Sequence, residues 1–403
     1  MRRALIVLAA VAACCAASLA AARPQADPGI TSTKIVLGAT APLSGPASAF
    51  ASVERGAQAY FAYVNAHGGV NGRTIDYRIS DDGFDPSRTV LETRKLVDQD
   101  KVFAMFNSLG TEQNLAVAQY LNDSGVPQLF AATGVDSIGD AKKYPLTVGY
   151  IPSYTAEGRL YGVYLASLKG THKIAVLMPN DEGGDDLIAG LKRGLGTKER
   201  EIVDVQRYDP LAAGVQAEVA RLAGTHADVF VDFATPAYAL QAFVGAFKLG
   251  WSPQTVVPAY SSASSVLKIG QASTSPKQIV GTISTVFVKD PTDPRWNKDK
   301  TVALYRSIMK RYQPSGDIKD PYNMYGMAVA YTMIDVLKHA GRNPTRQNVL
   351  NAALHLNEHN PFLPPEIRVK TSPSDRFPIE QARLIRWVGD RWASFGRVYT
   401  LGR

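Results

Sequence analysis

Two short hydroxyl side chains, Ser108 and Thr133, each stand just past an apolar run, in Phe106-Asn107-Ser108-Leu109-Gly110-Thr111 and in Phe130-Ala131-Ala132-Thr133. A hydroxyl beside free backbone N–H groups can hold an anion, and hydrogen bonds to an ionised group are about twice as strong as neutral ones. The same residue types also cap helices and close turns. Hydrolytic chemistry has less support. His355-Leu356-Asn357-Glu358-His359 has the H-x-x-E-H form of a zinc peptidase. That chemistry needs both histidines on a continuing helix plus a further ligand, and Asn360-Pro361 ends a helix at once. There is no G-x-S-x-G elbow, Walker loop or G-x-G-x-x-G fingerprint. We therefore expect no enzyme, no metal and no cofactor.

For Ser108 and Thr133 to converge, they must sit at the carboxyl ends of neighbouring parallel strands, where doubly wound sheets bind their ligands. The apolar periodicity predicts strands over 34–39, 74–80, 102–106 and 127–130, alternating with helices over 52–67, 86–99 and 112–122. Asp85-Pro86 starts the second of these helices, with Asp85 as N-cap. A second series follows, with helices over 155–168, 185–194, 215–223 and 237–249 and strands over 173–178, 201–207, 228–233 and 255–259. The remainder is less regular: a β run over 279–288, helices over 299–312 and 322–340, and short strands over 367–370 and 382–387. Two such series predict an α/β chain of two doubly wound, Rossmann-like lobes.

At 403 residues the chain exceeds one typical core. Met1-Arg2-Arg3 and the apolar run to Ala22 read as an export signal occupying 1–22, cleaved after Ala22. Val11-Ala12-Ala13-Cys14 offers the alternative of a lipid anchor through Cys14. Both cysteines, Cys14 and Cys15, fall inside the signal, so the mature chain is expected to carry no disulfide or thiolate site. The formal net charge is +8, but the basic residues are scattered and do not alternate with aromatics, which argues against nucleic acid as a partner.

The run Leu37-Gly38-Ala39-Thr40-Ala41-Pro42-Leu43-Ser44-Gly45-Pro46, followed by Gly56-Ala57, Asn65, Gly68-Gly69-Val70-Asn71-Gly72 and Asp81-Asp82, resembles the amino-terminal lobe of the periplasmic branched-chain amino-acid-binding proteins. These are the solute receptors of ABC importers. The resemblance implies a type I periplasmic binding protein whose chain crosses between lobes three times. Lobe one would comprise 31–150 plus 284–369, and lobe two 151–283 plus 370–403. It also implies that Ser108, the backbone of Ala131 and Thr133, in the strand-end run containing Leu109, hold a ligand carboxylate. Phe50 matches a tyrosine that packs on the ligand.

Two positions depart from the pattern of the amino-acid binders. Gly183 stands where they carry an aromatic residue, and Tyr260 where they carry the acid that pairs with the α-ammonium. A buried ammonium without a counter-charge costs several kcal/mol, so a carboxylate ligand without an amino group, aromatic or aliphatic, is favoured unless Asp232 or Glu182 substitutes. Of Tyr150, Tyr154, Tyr238, Tyr260 and Tyr322, we select Tyr150 and Tyr260 as the aromatic wall. The cysteine positions that link two loops in the family are Phe84 and Asn107 here. The expected protein is a monomeric receptor that delivers its ligand to a membrane permease. A sensing module that reports to a partner receptor would use the same lobes.

Overall fold

The computed structural model describes residues 26–401; the predicted signal over 1–22 and Cys14 lie outside them. β1 (Lys34–Ala41) is buried at every residue but Lys34, as a strand covered on both faces must be. It pairs in parallel with β2 (Thr74–Asp81) on one side and β3 (Ala104–Phe106) on the other. β4 (Gln128–Ala131) and β5 (Thr147–Gly149) complete a five-stranded sheet of order β2-β1-β3-β4-β5. The crossover helices are α1 (Ala51–Ala66), α2 (Pro86–Arg94) and α3 (Thr111–Asp123). Asp85 caps α2 by accepting from the Ser87 N–H at 2.8 Å, as its sequence position predicts.

The chain then enters the second lobe through α4 (Tyr154–Ala166). Its sheet, ordered β14-β13-β10-β9-β8-β6-β7, has a parallel centre of β6 (Ile174–Pro179), β7 (Ile202–Tyr208), β8 (Val229–Asp232), β9 (Gln254–Val256) and β10 (Ile283–Val286). α5 (Glu182–Leu195), α6 (Gln216–Gly224), α7 (Pro236–Lys248) and α8 (Ser264–Ser273) connect or flank these strands. α9 (Lys300–Tyr312), α10 (Pro321–His339) and α11 (Arg346–Ala353) return to the first lobe, followed by a ribbon of β11 (Asn357–Glu358) and β12 (Val369–Lys370). β13 (Gln381–Trp387) and β14 (Trp392–Thr400) add an antiparallel edge to the second sheet.

Glycine permits the closest helix contacts. A Cβ on Gly326 of α10 would lie 1.9 Å from the Val53 carbonyl of α1, which holds α10 in the middle of lobe one. α4 and α5 interlock in the same way: a Cβ on Gly158 would lie 2.2 Å from the Leu187 carbonyl, and one on Gly190 2.1 Å from that of Thr155. This second pair matters for function, because the starts of α4 and α5 both face the other lobe.

The sequence reading needs three adjustments. β10 pairs with β9 and β13, so residues 284–286 belong to the second sheet, and Phe287 and Val288 are the first to enter lobe one's core. The third passage extends over 370–380, where the Arg376 guanidinium donates to the carbonyls of Pro145 and Thr147, each at 2.8 Å. β5, β14, α8 and α11 were not anticipated; β14 is mostly half-buried and carries no apolar alternation. Among the described residues no helix is long and apolar enough to cross a membrane.

Candidate ligand-binding cleft

β3 and β4 end in the same unusual way. Asn107 and Phe130 adopt left-handed φ values of 56° and 59°, a conformation that bulky residues hold only when their surroundings enforce it. At Asn107 the enforcement is visible: its amide donates to Glu54 Oε1 at 3.4 Å, and Tyr325 donates to its Oδ1 at 3.3 Å. Glu54 also accepts from the Tyr77 hydroxyl, and burial pushes its carboxyl up to about 8 despite these bonds. The reversed backbone turns Ser108 inward, where its hydroxyl accepts from the Thr40 N–H at 3.2 Å. Leu109 bridges to Ala132, and Gly110, at φ 107°, leads into α3 without a side-chain cap. Thr111, the first residue of α3, places its hydroxyl 2.9 Å from that of Thr133.

Between the lobes lies a cleft of about 1690 Å³, including its open mouth, and Gly110 and Thr111 form part of its wall. The lobe-one side adds Phe50, Phe84, Leu109, Ala132, Tyr322 and Tyr325; the lobe-two side adds Tyr154, Glu157, Asp181, Gly183, Tyr260 and Trp392. Trp296 and Arg295 reach the wall from the segment after β10, where Arg295 is paired with Asp293 at 2.6 Å. Arg383, also on the wall, lies 3.5 Å from Glu366. Hydrogen bonds run from one lobe to the other at several places. Tyr322 donates to the Tyr260 carbonyl at 2.6 Å, Ser264 to Asp290 at 2.7 Å, the Asp136 N–H to Asp186 at 2.7 Å and the Glu182 N–H to Glu112 at 3.2 Å. The lobes therefore meet around the cleft.

The residues over 34–391 match the periplasmic binding protein family. The chain belongs to that family. It is 24% identical over 340 residues to a Leu/Ile/Val-binding protein homolog of Brucella abortus, covering 83% of this chain and 85% of the relative. Its fold is similar to that of a branched-chain amino-acid ABC transporter protein from Thermus thermophilus with bound valine. The TM-score is 0.81 at 17% identity, over 92% of this chain and 97% of that one. It is also similar to a solute-binding protein of an ABC transporter from Rhodopseudomonas palustris in complex with 3,4-dihydroxybenzoic acid. There the TM-score is 0.75 at 18% identity, over 93% and 99% of the two chains. Solute binding on the two-lobed scaffold of this family is thus the frame for the cleft.

Within that frame the eight selected residues fall into three groups. Phe50, Leu109, Gly183 and Tyr260 lie on the wall of the cleft. Ser108, Ala131 and Thr133 are not on the wall: Ser108 is bonded to Thr40 of β1, Ala131 pairs with Gly149 of β5, and only Thr133 is bonded to a wall residue, Thr111. Tyr150 does not belong to the aromatic wall. Its ring packs between Phe130 and Tyr325 at 5.5 and 5.9 Å, and its hydroxyl turns to Thr332 of α10 at 3.0 Å. Tyr238 also points away, donating to the carbonyls of Pro210 and Ala212. Tyr154 and Tyr322 take the places on the wall instead. Gly183 is explained by crowding, because a Cβ there would meet Thr111 Oγ1 at 3.0 Å and the Tyr154 ring at 3.1 Å. Phe84 packs its ring onto Gly110 beside Asn107.

Neither suggested substitute for the missing acid reaches the wall. Asp232 is fully buried, accepts from the Ala234 N–H at 3.1 Å and has its carboxyl pushed up to about 7 by burial. Glu182 is exposed at the start of α5. The wall carries other acids that sequence reasoning did not select: Asp290, Asp293 and Glu366 on the lobe-one side, and Asp181 and Glu157 on the lobe-two side. Asp181 caps α5 through the Gly184 N–H at 2.7 Å, and burial pushes it up to about 6. Glu157 is 4% exposed, and its Oε1 accepts from the Tyr161 hydroxyl at 2.6 Å, the Ala259 N–H at 2.7 Å and the Thr285 hydroxyl at 3.0 Å. Burial pushes the Glu157 carboxyl upward against those three bonds. A signal was present: Glu157 sits among Tyr154, Leu160 and Tyr161, at the helical spacing of α4's buried face. Of the histidines of the H-x-x-E-H run, His355 pairs with the Asn351 carbonyl and His359 with Arg368, while Glu358 lies in β11.

Proposed function

We propose that this protein is the exported binding component of an ABC importer and that its lobes close on a small organic acid, aromatic or aliphatic. Its carboxylate meets the start of α3. The observation that carries this reading is the pairing, in one cleft, of an uncapped helix start and the Thr111 hydroxyl with the aromatic side chains of Phe50, Tyr154, Tyr260 and Tyr322. The first four N–H groups of a helix have no intrahelical partner and the helix dipole favours an anion there. Thr133 holds that grip in position through its bond to Thr111. Phe50, Tyr154, Tyr260 and Tyr322 supply apolar area for the body of the ligand.

The acid is favoured over a standard α-amino acid because Tyr260 replaces the family's ammonium partner and spends its hydroxyl on the Phe233 carbonyl at 2.7 Å. The related folds hold valine in one case and an aromatic acid in the other, and the aromatic wall here suits the second kind. Closure is a population shift: lobe one binds first, and contacts made from lobe two favour the closed form. The chain acts as a monomer, without catalysis, and hands its ligand to a membrane permease after export by the 1–22 signal. A thermal-shift screen tests the ligand class, since binding raises apparent stability with ligand concentration over Kd. Stabilisation by non-amino organic acids is expected. A response to leucine or valine with none to the acids would overturn the reading.

A further inference from the structure

We infer that Glu157 forms a second polar subsite, in lobe two, which takes a hydroxyl carried by the ligand at the end away from its carboxylate; this rests on the organic-acid reading above. The ligand class thereby narrows to hydroxylated acids. Three donors from three separate places converge on Oε1: Tyr161 further along α4, Ala259 in the loop after β9, and Thr285 in β10. They fix the carboxyl group in one orientation, and Oε2 takes none of those bonds. Glu157 lines the cleft from lobe two, with Tyr154, Tyr260 and Thr285, while the start of α3 lines it from lobe one.

A purely structural role does not account for the residue. A staple between α4, the β9 loop and β10 needs one acceptor oxygen, which glutamine would supply with no ionisable group to bury, and burying such a group is costly. What glutamate adds is a second oxygen, able to accept a hydrogen bond or, if protonated, to donate one. A hydroxyl both donates and accepts, so it matches either form. An ammonium requires the ionised form, which burial disfavours here. A site built for a hydroxyl also rejects the analogue lacking it, because its own polar group is then left without a partner.

The test measures matched acids by calorimetry on the full-length mature protein. The pairs are benzoate with 3- and 4-hydroxybenzoate, phenylacetate with 4-hydroxyphenylacetate, and hexanoate with 6-hydroxyhexanoate. In wild type at least one hydroxylated member should bind roughly 10- to 100-fold tighter than its parent, the range of one hydrogen bond to a charged or strongly polar group. Glu157→Met should abolish that preference, read as the ratio of hydroxylated to parent affinity within the variant. Glu157→Gln keeps an acceptor for all three donors and offers the hydroxyl only a donor, so it should retain an intermediate preference. If E157M does not fold, a fall of at least about threefold in E157Q decides the matter. Tight binding of parent acids with no hydroxyl preference in any pair, or a preference that survives in the variants, would overturn the subsite and leave the carboxylate reading standing. No binding by any of the acids would overturn both.

Discussion

Tyr322→Phe isolates one contact between the lobes. The substitution removes a hydroxyl and keeps the ring, which meets Phe50 edge-on at 5.3 Å. The hydroxyl donates to the Tyr260 carbonyl at 2.6 Å, so the bond joins α10 of lobe one to the loop after β9 in lobe two. When the lobes separate, both groups return to water, and the loss falls on the closed form alone. A neutral hydrogen bond contributes about 0.5–1.5 kcal/mol net, which corresponds to a Kd raised about 2- to 12-fold. The increase should appear mainly as faster dissociation, because the encounter surface of lobe one is unchanged. Calorimetry and stopped-flow fluorescence with the tightest-binding acid of the panel measure both quantities. Tyr260→Phe is the control: its hydroxyl donates within lobe two, to Phe233 at 2.7 Å, so its loss should lower stability and leave dissociation nearer to wild type. Dissociation by Y322F at the wild-type rate would refute the assignment of this bond to closure.

Other expectations separate binding from folding. Thr111→Val should weaken a carboxylate ligand roughly 10- to 100-fold, with a stability loss of only about 0.5–1.5 kcal/mol from the bond to Thr133. Ser108→Ala should instead cost about 1–3 kcal/mol of stability, because it strands the buried Thr40 N–H; the reverse pattern would move the anion grip back to Ser108. Gly190→Ala brings a Cβ to 2.1 Å from the Thr155 carbonyl, so urea denaturation should show a loss of about 1–3 kcal/mol or more. A variant as stable as wild type would mean that α4 and α5 are not in contact there. Asp232 has a folded pKa of about 7 against 3.8, so the folded state holds the proton more tightly. Its contribution to stability is therefore fully present below about pH 4 and declines as pH rises to about 7. Asp232→Asn removes that decline. It should be the more stable protein at pH 8, by up to about 4 kcal/mol, with the gap closing below pH 4; parallel denaturation profiles across that range would contradict the burial argument.

The architecture was legible because it depends on periodicity and punctuation. β1 reads as a continuous apolar run because both its faces are covered, and Asp85-Pro86 and Ser124-Gly125 mark helix ends by local chemistry. β14 was not legible, since an edge strand half-open to solvent has no strict alternation to detect. The cleft was legible in part. Loops that follow parallel strands are directed into the crevice, which is why Leu109, Gly183 and Tyr260 reach the wall. Which atom of such a loop faces the ligand depends on φ values that residue type does not announce. The left-handed turn at Asn107 sends the Ser108 hydroxyl to Thr40, and it is Thr111 that lines the cleft. Tyr150 and Tyr154 are four residues apart on either side of a crossing, and only packing puts the first in lobe one's core and the second in the cleft.

The order of apolar and polar residues was sufficient to specify two doubly wound lobes and to place the strand ends that carry Ser108 and Thr133 in one of them, because strands and helices are local consequences of spacing. The selectivity side depended on three-dimensional convergence. Glu157 acquires its orientation from Tyr161, Ala259 and Thr285, whose positions lie 4, 102 and 128 residues further along the chain. Gly183 is glycine because Thr111, 72 positions earlier, and Tyr154 already occupy the space. Such constraints involve distances between elements, and no run of neighbouring residues encodes them.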